Sequence, residues 1–157
     1  MSLTNRDKEI IVSTWSLIRK DSDQAGIHLF KRFFEANPDY VKYFPFGDLD
    51  DLEKILVDPR LKWHASRVMA ALSTIVDNLD DPVCFEDSLQ KVLSSHLNRK
   101  IQLYHFENLK KALVCLFMDK LGPDIMNDET IEAWSKAYDV ILDTYRSRLS
   151  EAKSSIS

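Results

Sequence analysis

Residues 58–76 read DPRLKWHASRVMAALSTIV. Asp58 can cap a first helical turn, and Pro59 suits the first helical position, where its missing N–H costs nothing. Leu61, Ala65, Val68, Leu72, Ile75 and Leu79 then recur at steps of three and four, so they share one face of a helix. His64 lies three residues after Leu61 and four before Val68, which sets an imidazole on or at the border of the apolar stripe. A helix that turns a histidine toward its core needs a reason, because a buried polar group without a partner is expensive.

The rest of the chain reads as the same kind of structure. At 157 residues it is one domain's length and long enough for a real core. Glycine occurs only at Gly26, Gly47 and Gly122, whereas a compact sheet protein spends more on turns, so the prior leans to an all-α domain. Thr4 and Asp7 can cap a first helix to about Lys20, with Ile10, Ile11, Trp15 and Ile18 inward. A second helix runs from about Asp23 to Ala36, burying Ile27, Phe30 and Phe33 or Phe34, and the proline of Asn37-Pro38 stops it. A turn or short helix leads into YFPFGDLDD (43–51), whose acidic end reads as a solvated loop. The helix with His64 follows, from about Pro59 to about Leu79, and Asp80, Asp81 and Pro82 make a corner. Another helix ends near His96, with Leu89, Val92, Leu93 and His96 on one face. Phe106, Leu109, Leu113, Leu116 and Phe117 mark a helix from about Tyr104 to Leu121, ended by Gly122-Pro123. Asp128 is the expected cap of the last helix, and the tail at 150–157 is expected to fray. About six main helices plus short ones, with the ordered core at about 4–149 of a single domain, make up this reading.

The corner decides what His64 faces. His64 sits about 16 residues before it and His96 about 14 after it, arms of ~24 and ~21 Å at the α-helical rise. Folded back on each other, the two helices bring both histidines to one level, each on its apolar face. Either alone would be read as a core histidine bonded to a carbonyl; the matched pair points to a shared gap. Zinc fits poorly, because it wants about four ligands and no third His, Cys or carboxylate joins the pair at useful spacing. His28 and His105 have no such partner and read as surface or boundary residues. A planar cofactor that brings four nitrogens of its own needs only one or two axial ligands from protein, and that cofactor is haem.

Composition excludes other classes. Hydrophobic residues make up 45% and charged residues 29%, and the net charge of −4 comes from 21 basic and 25 acidic residues in mixed order. No basic stripe suits a nucleic acid. The longest apolar run, ALVCLFM (112–118), falls far short of the ~20 residues of a membrane span. Cys84 and Cys115 match no metal spacing and no disulfide framework, and the polar MSLTNRDKE start has no secretory apolar core, which together suit a cytoplasmic protein.

The order and spacing of NPDYVKYFPF (37–46), DPRLKWHASRVM (58–69), LQKVLSSH (89–96) with Ile101 and Phe106 behind it, LGP (121–123) and AWSKAY (133–138) resemble the globin family over nearly the whole chain, neuroglobin-like intracellular animal globins more than most. The resemblance implies a globin fold around haem b. It implies His96 as the proximal iron ligand, with Ser95 orienting its imidazole. His64 is implied as the distal histidine, either donating a hydrogen bond to the gas or ligating iron itself. Phe44 is implied on the haem face, Phe46 near its edge, Val68 beside the ligand, Phe30 at the distal position on the second helix and Ile101 on the proximal side. Val92 stands where leucine is common, one methylene smaller. Arg67 and Lys100 are placed to pair with haem propionates. Globins cross their second and fifth helices closely at a glycine, and Gly26 matches that position, with Ala65 facing it.

The function this implies is reversible binding of O₂, with CO and NO as further ligands, for storage, transport or sensing, without catalysis. Redox chemistry on nitric oxide or nitrite is the alternative. The sequence has no exposed apolar stripe that selects a dimer face, so a monomer and a homodimer fit it equally.

Overall fold

The computed structural model describes residues 3–97 and 99–156. Its described residues form an all-α architecture of seven helices and contain no strand. They are α1 (Asn5–Ile18), α2 (Ser22–Ala36), α3 (Leu52–Leu56), α4 (Pro59–Asp77), α5 (Pro82–Leu97), α6 (Leu103–Ile125) and α7 (Asp128–Ile156), with 3-10 segments at Arg19–Asp21 and Pro38–Tyr43.

Local chemistry sets most of the ends. Thr4 and Asp7 form a reciprocal capping box on α1: the Asp7 N–H donates to Thr4 Oγ1 at 3.0 Å and the Thr4 N–H to Asp7 Oδ2 at 2.9 Å. Asp58 accepts the Arg60 N–H at 2.8 Å, and Pro59 takes the first position of α4. The Asp58 carboxylate also takes the Arg60 guanidinium, which reaches on to the Pro45 carbonyl at 2.9 Å and ties the loop before α3 to the start of α4. Inside α6 the helix breaks at Gly122, where φ is +79° and ψ is 170°, a region open essentially to glycine alone.

One expectation is corrected. Asn127, not Asp128, caps α7: its Oδ1 accepts the Thr130 N–H at 3.0 Å. The short α3 is consistent with the expected six main helices plus short ones, and its cap is Asp51, which accepts the Glu53 N–H at 2.9 Å. α7 is described as far as Ile156, and Ser157 of the tail lies outside the described residues.

α2 packs across α4 and α6, α1 lies on α7 and α4, and α5 lies against α7 and α4. A Cβ added to Gly26 would stand 3.0 Å from Met69 Cγ and 3.2 Å from both Ala65 Cβ and the Ala65 carbonyl oxygen, so the α2–α4 crossing depends on its absence. At α1 and α7 the core is solid. Trp15 lies against Trp134 and Phe117 with ring centroids 5.8 and 6.1 Å away. Each indole N–H is satisfied across helices, Trp15 to Ser73 Oγ at 2.9 Å and Trp134 to Thr14 Oγ1 at 2.7 Å. Between α2, α4, α5 and α6 the packing instead leaves a cleft.

Candidate functional site

The cleft holds about 960 Å³ of empty space, counting the part open to solvent. Its walls are apolar, and among the described residues no Lys, Arg, Asp or Glu lines it. His64 from α4 and His96 from α5 both do, so the two helices meet at the level that the arms around Asp80–Pro82 imply.

His96 is held in one tautomer. Its Nδ1 stands 2.8 Å from the Val92 carbonyl, which can only accept, so the ring proton sits on Nδ1 and Nε2 keeps its lone pair. Ser95 Oγ donates to the same carbonyl at 2.8 Å and lies 3.3 Å from Nδ1. Burial lowers the His96 pKa, the bond to Val92 opposes that shift, and a positive Arg99 adds to it. A neutral imidazole with a free Nε2 is the form that binds a metal. Phe106 packs against this ring, centroid to centroid 5.2 Å.

His64 is held by packing instead. Its ring lies edge-on to Phe30 at 5.3 Å and to Phe44 at 5.1 Å. Desolvation pushes its pKa down to about 4, with smaller contributions from His96, Arg67 and Arg99. It is therefore a neutral group at neutral pH, and no hydrogen-bond partner holds it among the described residues.

Of the other residues singled out from sequence, Phe30, Phe44, Val68, Val92 and Ile101 line the same cleft. Four do not. Phe46 is fully buried behind Phe44, its ring stacked on that one at 5.2 Å and 15°. Ser95 reaches the cleft only through His96. The Arg67 guanidinium lies over the exposed Trp63 ring, 4.7 Å from its centroid. Lys100 is exposed, in a left-handed turn with φ of +61°.

Sequence reasoning missed His105. Far from being a surface or boundary residue, it is 6% exposed and lines the cleft. It is the third residue of α6, and its Nδ1 accepts the Gln102 N–H at 2.8 Å at the start of that helix. The rings of Tyr104, Tyr40 and Tyr43 surround it at 4.3, 4.7 and 4.7 Å. No periodicity flags it, because its inward turn depends on the three tyrosines brought from two segments. The sequence holds one signal that was available: glutamine followed three positions on by a side-chain acceptor at a helix start. His28 is a boundary residue as expected, 2.7 Å from Asp119.

Among the described residues no group of three or more His, Cys, Asp or Glu could hold a bare metal ion. The donor set is two neutral imidazoles on apolar walls, which suits a metal already ligated by its own macrocycle.

Comparison with known proteins places the chain in a family. A family model described as Globin matches residues 27–145, and the chain belongs to the globin family. Membership implies a haem cofactor. Cytoglobin-2 of Danio rerio is 30% identical over 136 residues, covering 85% of this chain and 75% of that protein. Neuroglobin of Danio rerio is 26% identical over 141 residues, covering 89% and 88%. A Physcomitrium patens protein named anaerobic nitrite reductase GLB0 is 24% identical over 155 residues, covering 96% and 84%.

Proposed function

We propose that the chain is a single-domain haem b protein that reversibly binds O₂, and with it CO and NO. The observation that carries this reading is His96: its Nδ1–H is spent on the Val92 carbonyl, which leaves Nε2 as a lone-pair donor on an apolar cleft that His64 also faces. Ferrous haem, when bound, would supply an iron that takes a diatomic gas.

The chain's own residues do the rest. His96 would hold the iron through Nε2, and Ser95 with the Val92 carbonyl keeps the ring from turning. His64, neutral and pinned between Phe30 and Phe44, offers an N–H to the gas. That bond favours O₂, the more polar ligand, over CO. Phe44, Val68, Val92 and Ile101 keep water and anions from the site. Val92 is smaller than leucine and leaves the proximal wall looser. Arg67 and Lys100 stand outside the cleft in this arrangement, and a propionate contact requires each to swing from its present position.

Binding rather than catalysis is the leading reading. The likeness to a protein named a nitrite reductase supports a second, redox chemistry on nitrite or nitric oxide at the same site. The free, exposed Cys84 and Cys115 suit a reducing cytoplasm. No described helix is long and apolar enough to cross a membrane.

The visible spectrum of the purified, reduced protein tests the reading. A Soret band with a single broad deoxy band is expected for iron held by His96 alone, and two sharp bands for iron held by His96 and His64 together. His96→Ala should lose the Soret band on gel filtration. Wild-type protein without any Soret band after incubation with haem would overturn the reading.

A further inference from the structure

His105 carries a hydrogen-bond donor that the fold leaves unused. The Gln102 N–H donates to its Nδ1 at 2.8 Å, so Nδ1 holds the lone pair and a neutral ring must carry its proton on Nε2. Nε2 is buried and has no hydrogen-bond partner among the described residues. Burial lowers the pKa of this imidazole, the Gln102 contact opposes the shift, and Lys42 adds to it. The ring is thus a neutral N–H donor with nothing to donate to. An unmade buried bond is costly, so a group left this way calls for a partner from outside the chain, and on an apolar cleft a bound ligand can supply it.

The other polar groups on the cleft are accounted for. His96 and His64 serve the iron and the gas in the reading above. The Tyr138 hydroxyl donates to the Phe106 carbonyl at 2.7 Å, the Tyr40 hydroxyl accepts from Asn108 at 2.8 Å, and the Tyr43 hydroxyl pairs with that of Tyr104. Arg67 and Lys100, the cations first placed near the cofactor's carboxylates, do not line the cleft. Haem b has no hydrogen-bond acceptors other than its two carboxylates. We propose that His105 Nε2–H donates to a haem carboxylate, making His105 an anchoring residue for the cofactor that also sets which way round it sits. A neutral imidazole suits the place, because a buried cation among three tyrosine rings would cost more desolvation. The inference rests on haem as the occupant of the cleft.

The test compares wild type with H105M, which keeps an unbranched side chain and loses the donor, and with H105Q, which keeps a donor. H105Q can keep both functions, its Oε1 accepting the Gln102 N–H and its Nε2 donating, whereas H105M keeps neither, so the comparison between the two haems separates the bond to the carboxylate from the loss of the cap. The haem-free chain is reconstituted with protohaem IX or with its dimethyl ester, and haem loss to excess haem-free acceptor protein is followed at the Soret band. H105M should release protohaem about tenfold faster than wild type, and H105Q within about threefold of it, since a bond to a carboxylate is charge-assisted. With the ester, wild type and H105M should differ by less than about twofold, because the charge is gone. Equal rates for wild type and H105M with protohaem overturn the proposal, as does the same acceleration with both haems, which would mark a packing effect. Failure of wild type to take up either haem would overturn the haem reading itself, whereas uptake with unchanged loss removes only the role of His105.

Discussion

The three histidines on the cleft differ in where the proton sits, and that difference assigns their chemistry. His96 gives its Nδ1–H to Val92 and presents a lone pair. His105 takes the Gln102 N–H on Nδ1 and presents a proton. His64 has neither constraint and is positioned only by the rings of Phe30 and Phe44. A side chain held by packing alone can meet a ligand or move aside for one. His64→Leu keeps the apolar volume and removes the N–H. A hydrogen bond to a polarised acceptor is worth about 1.5–3 kcal/mol, so O₂ should dissociate roughly 10- to 100-fold faster from this variant. CO should dissociate at nearly the parental rate. Stopped-flow displacement of both gases measures the two rates, and an unchanged O₂ rate would show that His64 makes no such bond.

At the scale of the helices, α2 and α4 cross closely at Gly26, on the side of the cleft that α4 lines with His64. Gly26 is inside α2, where glycine costs about 1 kcal/mol of helix propensity relative to alanine. The compensation is closeness: a Cβ there would meet Met69 Cγ at 3.0 Å and the Ala65 backbone oxygen at 3.2 Å. Met69 can bend away, but the Ala65 backbone cannot without shifting α4 and His64 with it. Gly26→Val should therefore overpack the crossing and lower stability by about 1–3 kcal/mol. It should also alter gas kinetics although residue 26 does not line the cleft. A urea titration of the variant gives the first quantity and the O₂ dissociation rate the second.

For the molecule as a whole, surface charge pins α2 to α6 opposite the solid core. Asp119 on α6 takes the Arg32 guanidinium through both oxygens, at 2.7 and 2.8 Å, and His28 at 2.7 Å. Arg32 first and His28 second hold the Asp119 carboxyl well below the usual carboxylate range. Its folded pKa is thus lower than its unfolded one, and the unfolded chain binds the extra proton. The stability this group contributes is fully present above the ordinary carboxylate pKa of about 4 and is lost as pH falls toward the lowered folded value. Asp119→Asn should be less stable than the parent at pH 7, and the gap should narrow as pH falls below about 4. Urea midpoints for both proteins across that range check the sign, and a constant gap would mean that the carboxylate's charge is irrelevant.

How far the sequence reached follows from the range of each interaction. The capping box at Thr4 and Asp7, the Asp58-Pro59 start, the break at Gly122 and the Asp80–Pro82 corner are settled within a few residues by local hydrogen bonding and allowed dihedrals, so they could be read directly. The Asn127 cap slipped past, because neighbouring Asp and Asn residues compete for the same local bonds. By itself the sequence determined the all-α class, the faces of the long helices and the placement of His64 and His96 on facing apolar stripes. Only the tertiary structure decided which side chains share the cleft. It set Phe46 behind Phe44, left Arg67 on Trp63, and turned His105 inward among Tyr40, Tyr43 and Tyr104. Those outcomes depend on the angle at which segments far apart in the chain cross, and crossing angles are fixed by side-chain interdigitation that no short stretch of sequence contains.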